Sequence, residues 1–141
     1  LILAGRNLND QMPSLIFKEI LKKIDQKKIK KPKILIMGLS FKENCPDIRN
    51  SKVLDLYKYF SNKNFSISAY DPYSKFWSNK FIKKYNIINK VGKQKFDVII
   101  FAVKHKEFIT QKNKYNKNLA KKGFIYDLKY IIPEKSNHLR I

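Results

Sequence analysis

The sequence contains one cysteine, Cys45, which excludes an intramolecular disulfide framework and favours a reducing compartment. It also lacks an apolar run long enough to cross a bilayer, and it lacks a secretory signal with a basic start and a small-residue cleavage site. These absences predict a cytoplasmic protein that does not act in a membrane. Aromatic residues nevertheless make up 13% of the chain, which favours a packed core over disorder.

Acidic side chains are scarce, since 11 Asp and Glu stand against 31 Lys and Arg and leave a formal net charge of +20. Such an excess can indicate a nucleic-acid partner. The cations are mostly lysines scattered along the chain, however, and only Lys22–Lys33 forms a dense run. Lysine lacks the planar fork with which arginine contacts base edges. Nucleic-acid binding is therefore a less favoured hypothesis.

The glycine-rich fingerprint of dinucleotide-binding turns, GxGxxG, is missing, because Gly38 is followed by Leu-Ser-Phe-Lys. Any phosphate group bound there would have to be held mainly by side chains rather than by a cradle of backbone amides. The sequence also shows no internal repeat and no spacing typical of metal ligands, so we expect no metal site.

Strand and helix patterns alternate along most of the chain. Ile34–Met37 is a short apolar run typical of a buried strand, and Ser51 is a suitable N-cap for a helix over Lys52–Asn62. Further strands are predicted at 65–70, 96–103, 124–126 and, as a terminal edge strand, 138–141; short or weak helices are predicted at 74–85 and at 110–122, the latter ended by Gly123. This alternation predicts an α/β fold with a Rossmann-like open parallel sheet and flanking helices.

An amphipathic helix precedes the first strand, with Met12, Ile16, Ile20 and Ile24 repeating every four residues. Asn9 or Asp10 is its expected N-cap, and Pro13 is expected in its first turn. The helix either packs on its own domain or is a connecting helix that packs against a missing neighbour, and the abrupt start of the chain favours the second alternative. We accordingly predict a connecting or dimerisation helix and linker over 1–31, and a ligand-binding domain over 32–141.

Charged residues follow the predicted strands, where the carboxyl ends of a parallel sheet form a ligand site. Lys42 and Arg49 follow the first strand, Asp71 the second, His105 the third and Lys129 the fourth. Two cations seven residues apart in one loop suggest an anionic ligand, most plausibly a phosphate group. Asp71 fits either a ribose contact or a turn cap, because Pro72 follows it.

No catalytic residue is identifiable in these loops. His105 has no identifiable partner acid or nucleophile in the sequence, and a lone histidine in a loop is more often structural or solvent-facing than catalytic. Cys45, in the first loop, is interpreted as a small packing residue.

The string GLSFKENCPDIRNS at Gly38–Ser51 resembles the corresponding loop of the UDP-glucose/GDP-mannose dehydrogenase family, in its C-terminal UDP-binding domain. Four further strings support the resemblance in the same order, so that it spans nearly the whole chain: GRNLND at 5–10, YDP at 70–72, AVKHKEF at 102–108 and YDLK at 126–129. The strings are most similar to those of bacterial UDP-N-acetylhexosamine 6-dehydrogenases, which act in capsule and O-antigen synthesis.

The resemblance implies a two-step, four-electron oxidation of the sugar C6 alcohol to a carboxylate, with NAD as the cofactor and a cysteine that holds the intermediate as a thiohemiacetal. It further implies that Lys42 and Lys129 contact the UDP-sugar, that Arg6 reaches a UDP-sugar in the partner subunit of a dimer, and that Arg49 reaches toward NAD bound by another domain. The implied partners are a UDP-sugar and either a second copy through the N-terminal helix or an upstream chain carrying the NAD domain.

The family's catalytic cysteine and its NAD-binding domain lie upstream of the segment that this sequence matches, and Cys45 does not correspond to that cysteine. We therefore expect the chain alone to be inactive, whether it is a fragment, one piece of a split gene or a decayed remnant. Two hypotheses stand ahead of nucleic-acid binding. In the first the chain is the substrate-binding part of a nucleotide-sugar dehydrogenase; in the second it is a non-catalytic nucleotide-binding or interaction module.

Overall fold

The computed structural model describes residues 7–49, 51–128 and 138–140. Five strands form one sheet in the order β2-β1-β3-β4-β5, and every neighbouring pair is parallel. The strands are β1 (Lys33–Met37), β2 (Ser66–Tyr70), β3 (Phe96–Phe101), β4 (Leu119–Asp127) and β5 (His138–Arg140). The predicted Rossmann-like α/β fold is confirmed. Because the chain moves outward in one direction from β1 to β2 and in the other from β3 onward, the switch point lies between β1 and β3.

The two central strands are apolar on both faces, as a covered parallel sheet requires. Ile34 and Ile36 of β1 face the larger core, while Leu35 and Met37 face the smaller one. All four of these side chains are fully buried. The alternation that places one residue in each layer is the two-residue period of a strand. The sequence could therefore identify this strand from its apolar run.

Helices cover the sheet. They are α1 (Asn7–Gln26), α2 (Lys52–Asn62), α3 (Asn79–Lys84) and α4 (Lys106–Thr110), with 3-10 turns at Ser74–Phe76 and Lys112–Asn118. In α1, Ile16, Ile20 and Ile24 are buried in the same core as β1, and the Tyr126 hydroxyl on β4 donates a hydrogen bond to Glu19 at 2.9 Å. The helix thus packs on its own domain, and its role as a connecting or dimerisation helix over 1–31 stays a prediction. No helix in the described part of the chain is long and apolar enough to cross a membrane.

The N-terminal boundary of α1 differs from the prediction. The helix begins at Asn7, so Pro13 lies inside it rather than in the first turn. The first four backbone N–H groups of a helix have no partner within it, so a proline there costs no hydrogen bond. A proline at the seventh position, in contrast, removes one bond to the preceding turn. The packing of the isoleucine face against the sheet outweighs that local loss.

The prediction of a helix over 110–122 is wrong in its second half. A 3-10 turn ends at Asn118, and Leu119 then pairs with Phe96 at the start of β4. Gly123 is an internal residue of that strand rather than a helix cap, and a Cβ there would lie 3.0 Å from the Phe96 carbonyl oxygen. Lys121 and Lys122 are exposed, so this part of the strand has no apolar alternation by which the sequence could reveal it.

The outermost strand on one side of the sheet is β5, and on the other side a short segment pairs with β2. β5 pairs with β4 along His138–Arg140, which confirms the predicted terminal edge strand over those residues. At the other edge, Ala69 of β2 forms a parallel bridge with Ile87, and the Asn86 side-chain amide donates to the Ile67 carbonyl at 2.9 Å. This short segment satisfies backbone groups of β2 that an open edge would leave unpaired.

Candidate functional site

The loop between β1 and α2 begins at Gly38, at the switch point. Gly38 has a φ of +100°, and a Cβ at this position would lie 2.6 Å from Cβ of Val103. The glycine is therefore required by a backbone turn that passes close to the end of β3. Its backbone N–H donates to the Tyr70 carbonyl at 2.8 Å, at the end of β2.

Asp71, directly after β2, organises the start of this loop. Its Oδ2 accepts hydrogen bonds from the backbone N–H groups of Leu39 at 2.8 Å and Ser40 at 3.2 Å, and lies 3.0 Å from Nε2 of His105. Its Oδ1 accepts from the backbone N–H of Tyr73 at 2.8 Å. The carboxylate is fully buried, and these donors compensate for its removal from water. Of the two alternatives for Asp71, the structure favours the turn cap, with an additional bond to a neighbouring loop.

His105, directly after β3, is fully buried against Asp71. Its Nδ1 accepts a hydrogen bond from the backbone N–H of Asn44 at 3.0 Å. The proton of the neutral ring is therefore assigned to Nε2, which lies 3.0 Å from both Asp71 Oδ2 and the Ser40 hydroxyl oxygen. The structure supplies the partner acid that the sequence did not reveal: it is Asp71, which lies 34 residues away along the chain. The structural role of His105 is as predicted.

Ser40, His105 and Asp71 contain the residue types of a hydrolytic triad but not its geometry. In a triad the acid and the nucleophile contact opposite nitrogens of the imidazole ring. Here both lie against Nε2, and the backbone N–H of Asn44 occupies Nδ1. The Ser40 hydroxyl also donates to the Lys42 carbonyl at 3.2 Å, and none of the three side chains is exposed. This cluster holds the loop in place and does not provide a nucleophile.

Further hydrogen bonds attach the loop to other segments. Asn44 has a φ of +56°, and its Oδ1 accepts from the backbone N–H of Lys106 at 2.8 Å. The Trp77 indole N–H donates to the Pro46 carbonyl at 2.8 Å. The Ser51 hydroxyl donates to the Leu39 carbonyl at 2.7 Å.

Ser51 therefore occupies the predicted N-cap position of α2, but its side chain does not cap the helix. Hydroxyl groups bond whichever backbone group lies nearest, and here the nearest is the start of the loop.

The exposed part of the loop concentrates charge around one carboxylate. Arg49 donates to both oxygens of Asp47 at 3.0 Å, and its guanidinium is 85% exposed. These hydrogen bonds, with smaller contributions from the charges of Arg49 and Lys42, lower the pKa of Asp47 to about 2. The same pair raises the pKa of Arg49.

The predicted site residues are described in part. Lys42 and Arg49 lie on this loop and are exposed to solvent, where an anion can reach them. Arg6 and Lys129 lie outside the described residues. Cys45 is half-buried in the same loop. Within the described ranges, no group of three His, Cys, Asp or Glu side chains could hold a metal ion.

Two tyrosines, Tyr70 and Tyr115, lie near Glu107 at the start of α4. The Tyr70 hydroxyl donates to the Glu107 carboxylate, and burial followed by this bond raises the pKa of Tyr70. Burial, with the charge of Glu107, also raises the pKa of Tyr115 to about 12. The ends of β2 and the start of α4 are therefore joined by an uncharged phenol and a carboxylate. Ionisation of either phenol plays no part near neutral pH.

The large apolar residues near this end of the sheet divide into a partly buried group and an exposed group. Trp77, Phe81 and Ile82 are partly buried against the larger core, as the commoner use of their spacing predicts. Phe76 is 64% exposed and Phe41, in the loop itself, is 55% exposed. Sequence reasoning missed two residues that hold the loop, Ser40 and Asn44. Their only signal was the string in which they occur.

The fold and the site define an open parallel α/β domain whose cationic loop lies at the topological switch point. Residues 35–134 match the UDP-glucose/GDP-mannose dehydrogenase family, UDP binding domain, and the chain belongs to this family. It is 36% identical to a UDP-N-acetyl-D-glucosamine 6-dehydrogenase of Pseudomonas aeruginosa and 33% identical to one of Salmonella typhi, covering 100% of this chain in both. It spans 34% of the length of each relative.

Solved structures agree on the fold. A UDP-D-ManNAc dehydrogenase from Pyrococcus horikoshii superposes with a TM-score of 0.75 at 22% identity, over 96% of this chain and 32% of that one. A UDP-N-acetyl-mannosamine dehydrogenase, Cap5O, from Staphylococcus aureus gives 0.74 at 20% identity, over 96% and 31%. These neighbours confirm a Rossmann-like domain and, at such identities, carry no argument beyond the fold.

Proposed function

We propose that this chain is the nucleotide-sugar-binding part of an NAD-dependent UDP-N-acetylhexosamine 6-dehydrogenase of polysaccharide biosynthesis. The observation that carries the proposal is the loop at the switch point, where Lys42 and Arg49 are exposed on the surface of a UDP-binding family domain. Fixed cations at the mouth of a parallel sheet recover much of the desolvation cost of a diphosphate. The names of the relatives support an N-acetylhexosamine as the sugar.

Lys42 is the proposed contact for the UDP-sugar, together with Lys129 of the same chain and Arg6 of a second copy. Lysine acts as a compact point charge on a flexible stem and can thereby reach a phosphate oxygen. Arg49 is the proposed contact for NAD. With Asp47 occupying Nε and one terminal nitrogen, its remaining N–H groups stay available at the surface.

The described residues fit a contact to NAD but not its main binding site, since Gly38 serves backbone packing and no glycine-rich turn follows it. NAD, when held by another domain, would accept the hydride from the sugar. This chain would contribute orientation and charge. Cys45 lies half-buried in the UDP loop and does not correspond to the family's catalytic cysteine. The 141-residue chain alone should therefore bind the nucleotide sugar without oxidising it.

Self-association through α1 is proposed as well. Leu15 is 42% exposed on this helix, and a shallow groove between α1 and α2 is lined by Pro13, Asp55 and Tyr59 among others. Light scattering after gel filtration should give twice the mass of the chain, and Leu15→Glu should return it to the monomer mass. A monomer for the unaltered chain at high micromolar concentration contradicts this part of the proposal.

Titration calorimetry with UDP and UDP-N-acetylglucosamine tests the central claim. We expect binding by the unaltered chain and at least a tenfold weaker affinity for Lys42→Ala, because one charge-assisted contact to phosphate is lost. Lys63→Ala is the matched control. It removes the same charge from the exposed C-terminal end of α2, which precedes β2 and so lies at the amino end of the strands. Absence of heat with a well-folded sample, or equal losses in both variants, contradicts the proposal.

A further inference from the structure

We propose that His105 is a positioning residue that holds the loop over 39–49 in its ligand-ready shape before any nucleotide binds. This inference rests on the proposed function and adds to it a residue that touches neither phosphate nor sugar. His105 is fully buried, whereas Lys42 and Arg49 are exposed. Its influence on binding would therefore pass through the backbone of the loop.

The hydrogen bonds of the ring have a definite direction. Nε2 carries the proton and lies 3.0 Å from Asp71 Oδ2 and from Ser40 Oγ, at the start of the loop. Nδ1 carries the lone pair and accepts from the Asn44 N–H, near its middle. One imidazole thus joins two points of the loop that are four residues apart. Lys42 lies between them.

Asn44 is the second half of this attachment. Its left-handed backbone, at φ +56°, is tolerated by asparagine better than by most residues. Its side-chain oxygen accepts from the N–H of Lys106, the residue that follows His105. Backbone and side chain of Asn44 are therefore both bonded to the segment between β3 and α4. The other bonds of the loop to neighbouring segments hold its ends, at Leu39 and Ser40 and at Pro46, so the attachment through Asn44 fixes its middle.

Such a prearranged loop would favour binding, because the entropy of ordering the backbone is lost on folding rather than on association. Without the attachment, Lys42 would sample many positions, and a diphosphate would have to order the loop itself. The expected consequence is a loss of affinity that follows the order of the loop and not the overall stability of the domain.

Two isosteric substitutions separate these quantities. In His105→Asn the amide reaches the position of Nδ1 and can still accept from the Asn44 N–H. In His105→Gln the amide reaches the position of Nε2, so it can donate to Asp71 or Ser40 but leaves the Asn44 N–H without an acceptor. Both variants leave one buried polar contact unmade, so both should lower the melting temperature.

Hydrogen exchange at the Asn44 amide and calorimetric affinity for UDP are then measured on each variant. We expect His105→Gln to lose at least tenfold in the protection of the Asn44 amide from exchange and at least tenfold in affinity for UDP. For His105→Asn, both should stay within about threefold of the unaltered chain. Ile125→Val, a buried change on β4, is a control that should lower the melting temperature and leave both quantities unchanged.

Affinity that follows the melting temperature, or tight UDP binding by His105→Gln despite an exposed Asn44 amide, overturns the inference. Failure of the proposed function gives a different result. If the unaltered chain protects the Asn44 amide and still binds no UDP, the hydrogen-bonded loop is real but the nucleotide assignment fails. The positioning role then fails with it.

Discussion

The two ends of the sheet differ in where they place polar groups. Six polar or charged side chains are buried in the described part of the chain, and five of them, Ser40, Ser51, Asp71, His105 and Asp127, lie at the carboxyl end of the strands. Among the described residues at the amino end, Asn118 is the one buried polar side chain, and it donates to the carbonyls of Gly92 and Gln94. Buried polar groups cost free energy unless they are fully bonded. Their concentration at one end shows that buried hydrogen bonds hold the loops there in place.

The largest expected effect tests this asymmetry with two matched changes. Asp71→Asn should lower the free energy of unfolding by about 3 kcal/mol or more, because a single amide oxygen cannot serve the donors on both sides of the buried carboxylate. Asp97→Asn, at the amino end, should cost about 1 kcal/mol or less, since an amide oxygen at this half-buried position can still accept the one backbone bond from Lys33. Urea denaturation measures both. Equal costs would remove the distinction between the two ends.

The glycines at the two ends provide the next comparison. Gly38→Ala should destabilise by about 3 kcal/mol or more, because a positive φ and a contact of 2.6 Å with Val103 both oppose a Cβ. Gly92→Ala, with a φ of +61° and open space around the position, should cost only about 1 to 2 kcal/mol. Thermal unfolding of both variants measures the difference. A smaller loss for Gly38→Ala would show that the end of β3 can move away.

The smallest effect concerns the exposed rim of the carboxyl end. An NMR titration should find the Asp47 carboxyl titrating with a pKa of about 2, below its usual 3.8. Because the folded-state pKa is lowered, any stabilisation from this carboxylate is present above 3.8 and is lost as the pH falls through 2. Arg49→Gln should raise the pKa most of the way back, and Lys42→Ala only slightly. Equal shifts would mean that the Arg49 hydrogen bonds do not dominate.

Much of the scaffold could be predicted from local pattern. The apolar run of β1 and the four-residue period of α1 each reflect a periodicity that the chain carries by itself. The strand start at Leu119 could not, because its exposed lysines show no such period and its pairing with β3 decides the structure. The same limit applied to Ser51, whose position was predictable but whose hydrogen-bond partner was not.

The sequence by itself determined which residues follow each strand, because strand ends are encoded by apolar runs and the turn residues after them. It also determined the family, through strings that span most of the chain. Only the tertiary structure decided that Asp71, His105 and Asn44 form one hydrogen-bonded unit, since parallel strands bring together loops that lie tens of residues apart. Hydrogen bonds depend on distances of about 3 Å, and such distances exist only once the sheet has formed.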